Sequence, residues 1–225
     1  LNNLEFDHAD IFADLAAIED QFHQLIRRVP ASGLIISNGQ DHNIHALLNR
    51  GVWSEQLRFD VIREQTPQSL KGLSMQLPSQ NIALKGAPVG TLTLRLTGVH
   101  NLSNALAAMA AARHVGVPPQ YSIDYLADFT GVKRRMEVVH AAAKAVLYDD
   151  FAHHPTAIAG MVSAASASMK KSGGAGRLWV VIEPRSNTMR MGTLQDQLVN
   201  CTQHADEVFW YQPEGLNWNL GRVVA

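Results

Sequence analysis

One cysteine, Cys201, stands in 225 residues. An internal disulfide framework is therefore excluded, and the usage fits a reducing compartment. No apolar run reaches the roughly 18 residues that a membrane-spanning helix needs. Charge of one sign is also missing: 19 Lys and Arg stand against 20 Asp and Glu, a net charge of −1. That balance gives no broad electrostatic footprint for nucleic acid or a membrane surface. A signal peptide is not expected from the first residues, and no internal repeat or low-complexity tract is evident. Leu1-Asn2-Asn3-Leu4-Glu5-Phe6 reads as the end of a strand within a domain. What remains is an ordinary core-forming composition, 46% hydrophobic and 17% charged. The length allows one large domain or two small ones.

Chemistry concentrates in Tyr148-Asp149-Asp150-Phe151-Ala152-His153-His154-Pro155-Thr156-Ala157-Ile158. Lys144 to Leu147 predicts a short buried strand. Pro155 to Met169 is rich in Ala, Met and Ile, with Pro155 suited to a first helical turn. Two carboxylates and two imidazoles thus fall in one strand-to-helix turn, which in open α/β sheets lies at the ligand crevice. Free N–H groups at the helix start offer a place for an anion. Two other readings stand beside this one: an ordinary polar loop, and a metal hydrolase centre built on Asp149, Asp150, His153 and His154.

Earlier in the chain, Asp7, His8 and Asp10 follow a short apolar stretch. Asp7 and His8 are candidate ligands for a divalent metal, and oxygen-rich surroundings with one His suit Mg²⁺ or Mn²⁺ better than Zn²⁺. The residues alone leave that reading level with a simpler one, in which Asp7 or Asp10 caps the next helix. That helix is predicted over Ile11 to Arg28 from apolar residues at Phe12, Leu15, Ile18, Phe22, Leu25 and Ile26. Gly33 to Gly39 predicts a strand and turn, Asn43 to Arg50 a short helix, and Val52 to Phe59 a strand of mixed character. Arg63 to Asn81 is polar and reads as loop and edge. Gly90 to Thr97 alternates leucines with polar residues, which predicts an antiparallel strand with one wet face.

Gly98 to Ala112 is alanine-rich and predicts a helix that Gly116 ends. Asn101 and Asn104 lie three apart on its first turn. An Asn amide both donates and accepts, which suits an adenine edge, although Asn101 as an N-cap is the simpler reading. Ser122 to Phe129 predicts a short helix. Lys133, Arg134 and Arg135 suit phosphate oxygens, Arg through its planar fork, or else form a solvated face. Arg177 to Ile182 predicts a buried strand that ends in Glu183-Pro184-Arg185-Ser186-Asn187-Thr188-Met189, a second polar cluster. Thr193 to His204 predicts a helix, and Asp206 to Trp210 a strand.

Four segments occur in an order that resembles the Mur ligases, the ATP-dependent amino-acid and peptide ligases of bacterial cell-wall synthesis. They are Asn-x-x-x-Asp-His at 3–8, His-Asn-x-x-Asn-Ala-Leu-Ala-Ala at 100–108, Gly-Val-x-Arg-Arg at 131–135 and Asp-Asp-Phe-Ala-His-His-Pro at 149–155. The resemblance covers nearly the whole chain. Within the family, Glu183 to Met189, Asn2 to Phe12 and Trp53-Ser54-Glu55-Gln56 look most like the branch that works in peptidoglycan recycling. That branch joins the tripeptide L-alanyl-γ-D-glutamyl-meso-diaminopimelate to UDP-N-acetylmuramate. The sister that adds free L-alanine shares the turn at 149–155 but usually differs over the segment matching Glu183 to Met189.

The resemblance implies an α/β fold in two parts: the latter part of a central nucleotide-binding domain to about residue 130, then the first part of a Rossmann-like C-terminal domain from 131. It implies ATP and Mg²⁺, a cytoplasmic setting, and a carboxylate activated as an acyl phosphate and attacked by an amine. His8 would ligate Mg²⁺. Asn101 and Asn104 would hold adenine, Asp150 the ribose, and His153 would sit beside the nucleotide. Arg135 would reach the phosphates, and Arg185 with Ser186, Asn187 and Thr188 would contact the incoming peptide. Several sisters carry a carbamylated lysine fifteen residues after the metal histidine; here that position is His23, so no carbamate is expected. The family's phosphate loop, Gly-x-x-Gly-Lys-[Thr/Ser], is absent, as are the carboxylate for its first metal and its N-terminal nucleotide-sugar domain. The sequence therefore reads as an internal piece of a longer enzyme that would not turn over alone. A non-catalytic nucleotide- or peptide-binding module is the reading from another class.

Overall fold

Alanine gives α3, Val99–His114, its propensity, and Leu102, Ala105, Leu106, Met109 and Ala110 give it one buried stripe. That stripe lies on a five-stranded sheet in the order β1-β2-β3-β4-β5. The strands are β1 (Leu34–Asn38), β2 (Glu55–Ile62), β3 (Leu73–Gln76), β4 (Asn81–Leu84) and β5 (Ala87–Thr91). The first two junctions are parallel and the last two antiparallel. Phe59, Leu73, Met75, Ile82, Leu92 and Leu106 form the centre of this core, each 1% exposed or less. Helix α4 (Pro119–Ala127) packs on α3 and β5, while α1 (Leu15–Arg28) packs on α2 (His42–Asn49).

The structure, a computed structural model, describes residues 1–63, 71–171, 173 and 176–223. The chain divides into two units. The first holds Leu1–Phe6 and Asp14–Thr130; the second holds Asp7–Ala13 and Gly131–Ala225. The segment carrying Asp7, His8 and Asp10 thus belongs with the C-terminal residues.

The second unit begins with an antiparallel hairpin, β6 (Glu137–Ala142) and β7 (Ala145–Asp149). Helix α5 (Pro155–Lys171) follows, starting at its proline. Strand β8 (Trp179–Ile182) pairs in parallel with β9 (Glu207–Trp210). Between them lie α6 (Asn187–Met191) and the single turn α7 (Gln195–Leu198). Ile158, Val162, Val180, Ile182, Met189, Leu198 and Cys201 are buried together. Gly192 ends α6 at φ +74°, and a Cβ there would lie 2.6 Å from Trp218 Cδ1, so both backbone and space require glycine. Burial pushes the Cys201 thiol up to about 11. At pH 8, the folded chain is expected to react with a thiol-exchange reagent at least about a hundredfold more slowly than the guanidinium-unfolded chain. Labelling at equal rates would show that Cys201 is not protected.

Several sequence expectations are corrected. Helix α1 starts at Leu15, and its cap is Asp14, which accepts from Ala17 N at 2.8 Å; neither Asp7 nor Asp10 caps it, because residues 8–12 turn back on the His8 carbonyl. The stretch 63–81 is not all loop: β3 lies inside the sheet, while residues 64–70 fall outside the described residues. The alternation at 90–97 is real in burial, since Leu92 is 1% exposed, but strand pairing stops at Thr91. Strand β7 is not buried: Val146, Leu147 and Tyr148 are 49%, 60% and 48% exposed. A short apolar run fits a half-open hairpin as well as a sheet centre, and periodicity cannot separate them. The turn at 149–155 therefore follows a two-stranded hairpin, not the carboxyl end of an open parallel sheet. Strand β8 is buried on one face only, with Trp179 and Val181 exposed. The helix expected over 193–204 shrinks to α7. Asn101 is not the N-cap of α3; Gly98 occupies that position.

Candidate active site

Within the second unit, four polar segments meet in pairs. The first pair is Gly131–Glu137 with Asp149–His153, arranged around Phe151. Phe151 N donates to the Arg134 carbonyl at 2.8 Å. Asp150 accepts twice: Oδ2 from Met136 N and Oδ1 from Ala152 N, each at 2.8 Å. Arg134 Nε donates to Asp149 Oδ2 at 3.1 Å. The guanidinium carbons of Arg134 and Arg135 lie 5.1 and 5.9 Å from the Phe151 ring centroid, within cation–π reach. His153 meets the same ring edge-on at 4.9 Å. Its Nδ1 lies 2.9 Å from the Phe151 carbonyl; a carbonyl only accepts, so Nδ1 carries the proton and Nε2 is the acceptor of the neutral ring. Arg135 itself is exposed.

The second pair is the His8 loop with the segment after β8. Thr188, 3% exposed, donates its hydroxyl to Asp7 Oδ1 at 2.7 Å and accepts from Ala9 N at 3.2 Å. The same Asp7 oxygen accepts from His8 N at 2.7 Å. Asn187 Nδ2 donates to Asp10 Oδ2 at 2.7 Å. Ser186 caps α6 through Met189 N at 3.3 Å. Arg185 is exposed, and among the described residues it forms no ion pair with Glu183. Burial works to raise the Asp7 carboxyl, but the Thr188 hydroxyl, the His8 N–H and the charges of His8 and His154 outweigh it and hold Asp7 below the ordinary value. The fold thus favours ionised Asp7. The contribution of these bonds is present above pH 3.8 and is lost as pH falls through the lower folded value.

Asn101 and Asn104 lie in the first unit. Asn101 Nδ2 donates to the Thr97 carbonyl at 2.7 Å, and Asn104 Oδ1 accepts from Asn2 Nδ2. Each amide is thereby oriented by one hydrogen bond. His23 lies on α1 with Nε2 buried and without a hydrogen-bond partner among the described residues.

A metal hydrolase centre is not formed: among the described residues, no three His, Cys, Asp or Glu side chains gather to hold an ion. Asp149 and Asp150 are committed to Arg134 and to backbone N–H groups. The same observation bears on Mg²⁺ at His8. A lone imidazole beside a carboxylate cannot cage an ion, but it fits Mg²⁺ that keeps waters and phosphate oxygens as its other ligands.

Sequence reasoning missed two features. Arg58 and Asp60 on β2 approach to 3.8 Å beside Gly39, with Asp60 4% exposed; alternate positions in a strand gave no sign that both turn toward one glycine. Thr188 and Asp7 are 181 positions apart, and no local pattern links them.

Residues 1–112 match the Mur ligase middle domain, and residues 134–220 match the Mur ligase glutamate ligase domain. Over its full length the chain is 45% identical to the UDP-N-acetylmuramate–L-alanyl-γ-D-glutamyl-meso-2,6-diaminoheptandioate ligase of Escherichia coli K12, covering 48% of that protein. It is 39% identical to the ligase of the same name from Haemophilus influenzae, again covering 48%. A crystal structure of a murein peptide ligase from Psychrobacter arcticus aligns over the whole chain and 45% of its own length, with TM-score 0.66 and 37% identity. The chain spans about half the length of the curated relatives it matches. It belongs to the Mur ligase family, with the middle domain of that family leading into its glutamate ligase domain.

Proposed function

We propose that this chain is the nucleotide- and peptide-handling part of a cytoplasmic, ATP-dependent ligase that joins L-alanyl-γ-D-glutamyl-meso-diaminopimelate to UDP-N-acetylmuramate in peptidoglycan recycling. The observation that carries the reading is full-length identity of 45% to a relative named for that substrate pair. The middle domain gives way to the C-terminal domain near residue 130. In the reaction, a carboxylate oxygen of UDP-N-acetylmuramate takes the γ-phosphoryl group and ADP leaves. The tripeptide amine then attacks the acyl carbon, loses a proton and expels phosphate. Mg²⁺ supplies charge neutralisation at the phosphates.

Residues of this chain position the partners. His8 offers one metal ligand. The Asn101 carbonyl and the Asn104 NH₂ are the amide halves left to meet an adenine edge. Asp150 orders the turn through both oxygens, and a carboxylate keeps further lone pairs for a ribose hydroxyl. His153 presents Nε2 beside the nucleotide. Arg135, stacked near Phe151, reaches for phosphate. Arg185 is the candidate for the peptide's distal carboxylate, while Ser186 caps α6 and the side chains of Asn187 and Thr188 are spent largely on the His8 loop.

The test is product formation by a full-length ligase that carries this chain, given UDP-N-acetylmuramate, ATP, Mg²⁺ and either the tripeptide or free L-alanine. Amide product with the tripeptide and little with L-alanine is expected. Equal rates would favour the L-alanine ligase, and nucleotide binding without product would favour a binding module. In the same enzyme, Asn104→Ala is expected to raise KM for ATP about fivefold, near 1 kcal/mol for one lost hydrogen bond, with KM for the tripeptide unchanged. Equal loss for both substrates, tracking a lower Tm, would show that Asn104 serves only its tie to Asn2.

A further inference from the structure

His8 stands at φ +54°. Left-handed backbone at a non-glycine residue persists where its surroundings over-determine it. Here they do. The Asp7 carboxylate holds the His8 N–H, the Thr188 hydroxyl holds that carboxylate and the Ala9 N–H, and the His8 carbonyl accepts from Ile11 N and Phe12 N at 2.8 and 2.9 Å. The Thr188 hydroxyl is thus bonded on both sides of His8, uses its donor and an acceptor, and is nearly sealed from solvent. Asn187 ties Asp10 one turn further on.

We propose that Thr188 is a positioning residue for His8: its hydroxyl bridges Asp7 and Ala9, fixes the left-handed turn, and so presents the imidazole to a divalent ion. The proposal rests on the reading of His8 as a metal ligand. It takes Thr188 out of the peptide-contacting group and gives it a role through the backbone of another segment. An imidazole whose direction is fixed before the ion arrives loses less freedom on binding, which is how groups behind a ligand tune its affinity.

The experiment is an Mn²⁺ titration of the 225-residue chain, read as paramagnetic broadening of the His8 ring signals by NMR. In the wild-type chain, His8 is expected to broaden before His153, and weakly, because phosphates complete the ion's shell. Thr188→Val keeps the shape and removes the hydroxyl; it is expected to move the His8 midpoint roughly tenfold to higher Mn²⁺. Thr188→Ser, which keeps the hydroxyl, is expected to stay within about twofold of wild type. A valine variant that melts lower but binds Mn²⁺ with the wild-type midpoint overturns the inference alone. Broadening of His153 ahead of His8 in the wild-type chain overturns the metal reading itself. Thr188→Ala takes the same test where the valine variant does not fold, and failure of both to fold makes Thr188 a folding element and overturns the proposal.

Discussion

Asp150→Ala is expected to destabilise the second unit by about 2–4 kcal/mol, since two backbone N–H groups lose a charged acceptor at about 1–2 kcal/mol each. In a unit of roughly this size each kcal/mol lowers Tm by about 4–8 °C. The two donors, Met136 N and Ala152 N, sit on either side of the contact between the 131–137 and 149–153 segments. Met136 is also at φ +52° and Arg134 at φ +58°, so the backbone there depends on bonds of this kind to hold its shape. Asp150→Asn keeps one carbonyl acceptor and is expected to lose about half as much. Calorimetry of the three proteins decides the point. If Asp150→Ala melts with wild type and only raises KM for ATP in a full-length ligase, the carboxylate acts on the nucleotide and not on the turn.

Arg185→Lys is expected to lower kcat/KM for the tripeptide about tenfold or more in a full-length ligase carrying this chain. The tripeptide ends in carboxylates well away from its reacting amine, and a guanidinium holds a carboxylate with two parallel bonds where an ammonium holds it as a point charge. Arg185 is exposed just before the Ser186 cap of α6, and among the described residues it forms no ion pair with Glu183 or any other carboxylate. Binding energy at the far end of the peptide positions the amine for attack. KM for ATP should not change. Tripeptide kinetics indistinguishable from wild type would remove Arg185 from substrate recognition.

Elements with strong local determinants were legible in the sequence. Helix α5 follows from Pro155 and the Ala-rich run after it; α3 follows from its alanines and the Leu102–Ala110 stripe; β1 follows from an apolar run closed by Gly39. Elements set by partners were not. Strand β3 lies in a stretch punctuated by proline and glycine, and only pairing with β2 and β4 makes it a strand. Leu92 keeps the alternation of a strand and bonds its N–H to the Gln80 carbonyl just beyond the last paired position. The start of α1 was misplaced because three aspartates compete for the cap, and Asp7 and Asp10 are taken by Thr188 and Asn187. The cationic turn and the Asp149–His153 turn were each visible as motifs, whereas their meeting over Phe151 was not, since it rests on contacts across the β6–β7 hairpin.

Trp218 donates its indole N–H to the Met189 carbonyl at 2.6 Å and packs against Gly192. Two of the four tryptophans, Trp53 and Trp179, are 63% and 60% exposed, whereas Trp210 and Trp218 lie against the second core. Their emission therefore separates into a solvent-like and a shielded component. The shielded component contains one indole fastened to the helix that carries Thr188. Loosening of α6 would release that indole to water and shift its fluorescence to the red, so the protein carries an optical reporter of this helix without any added label.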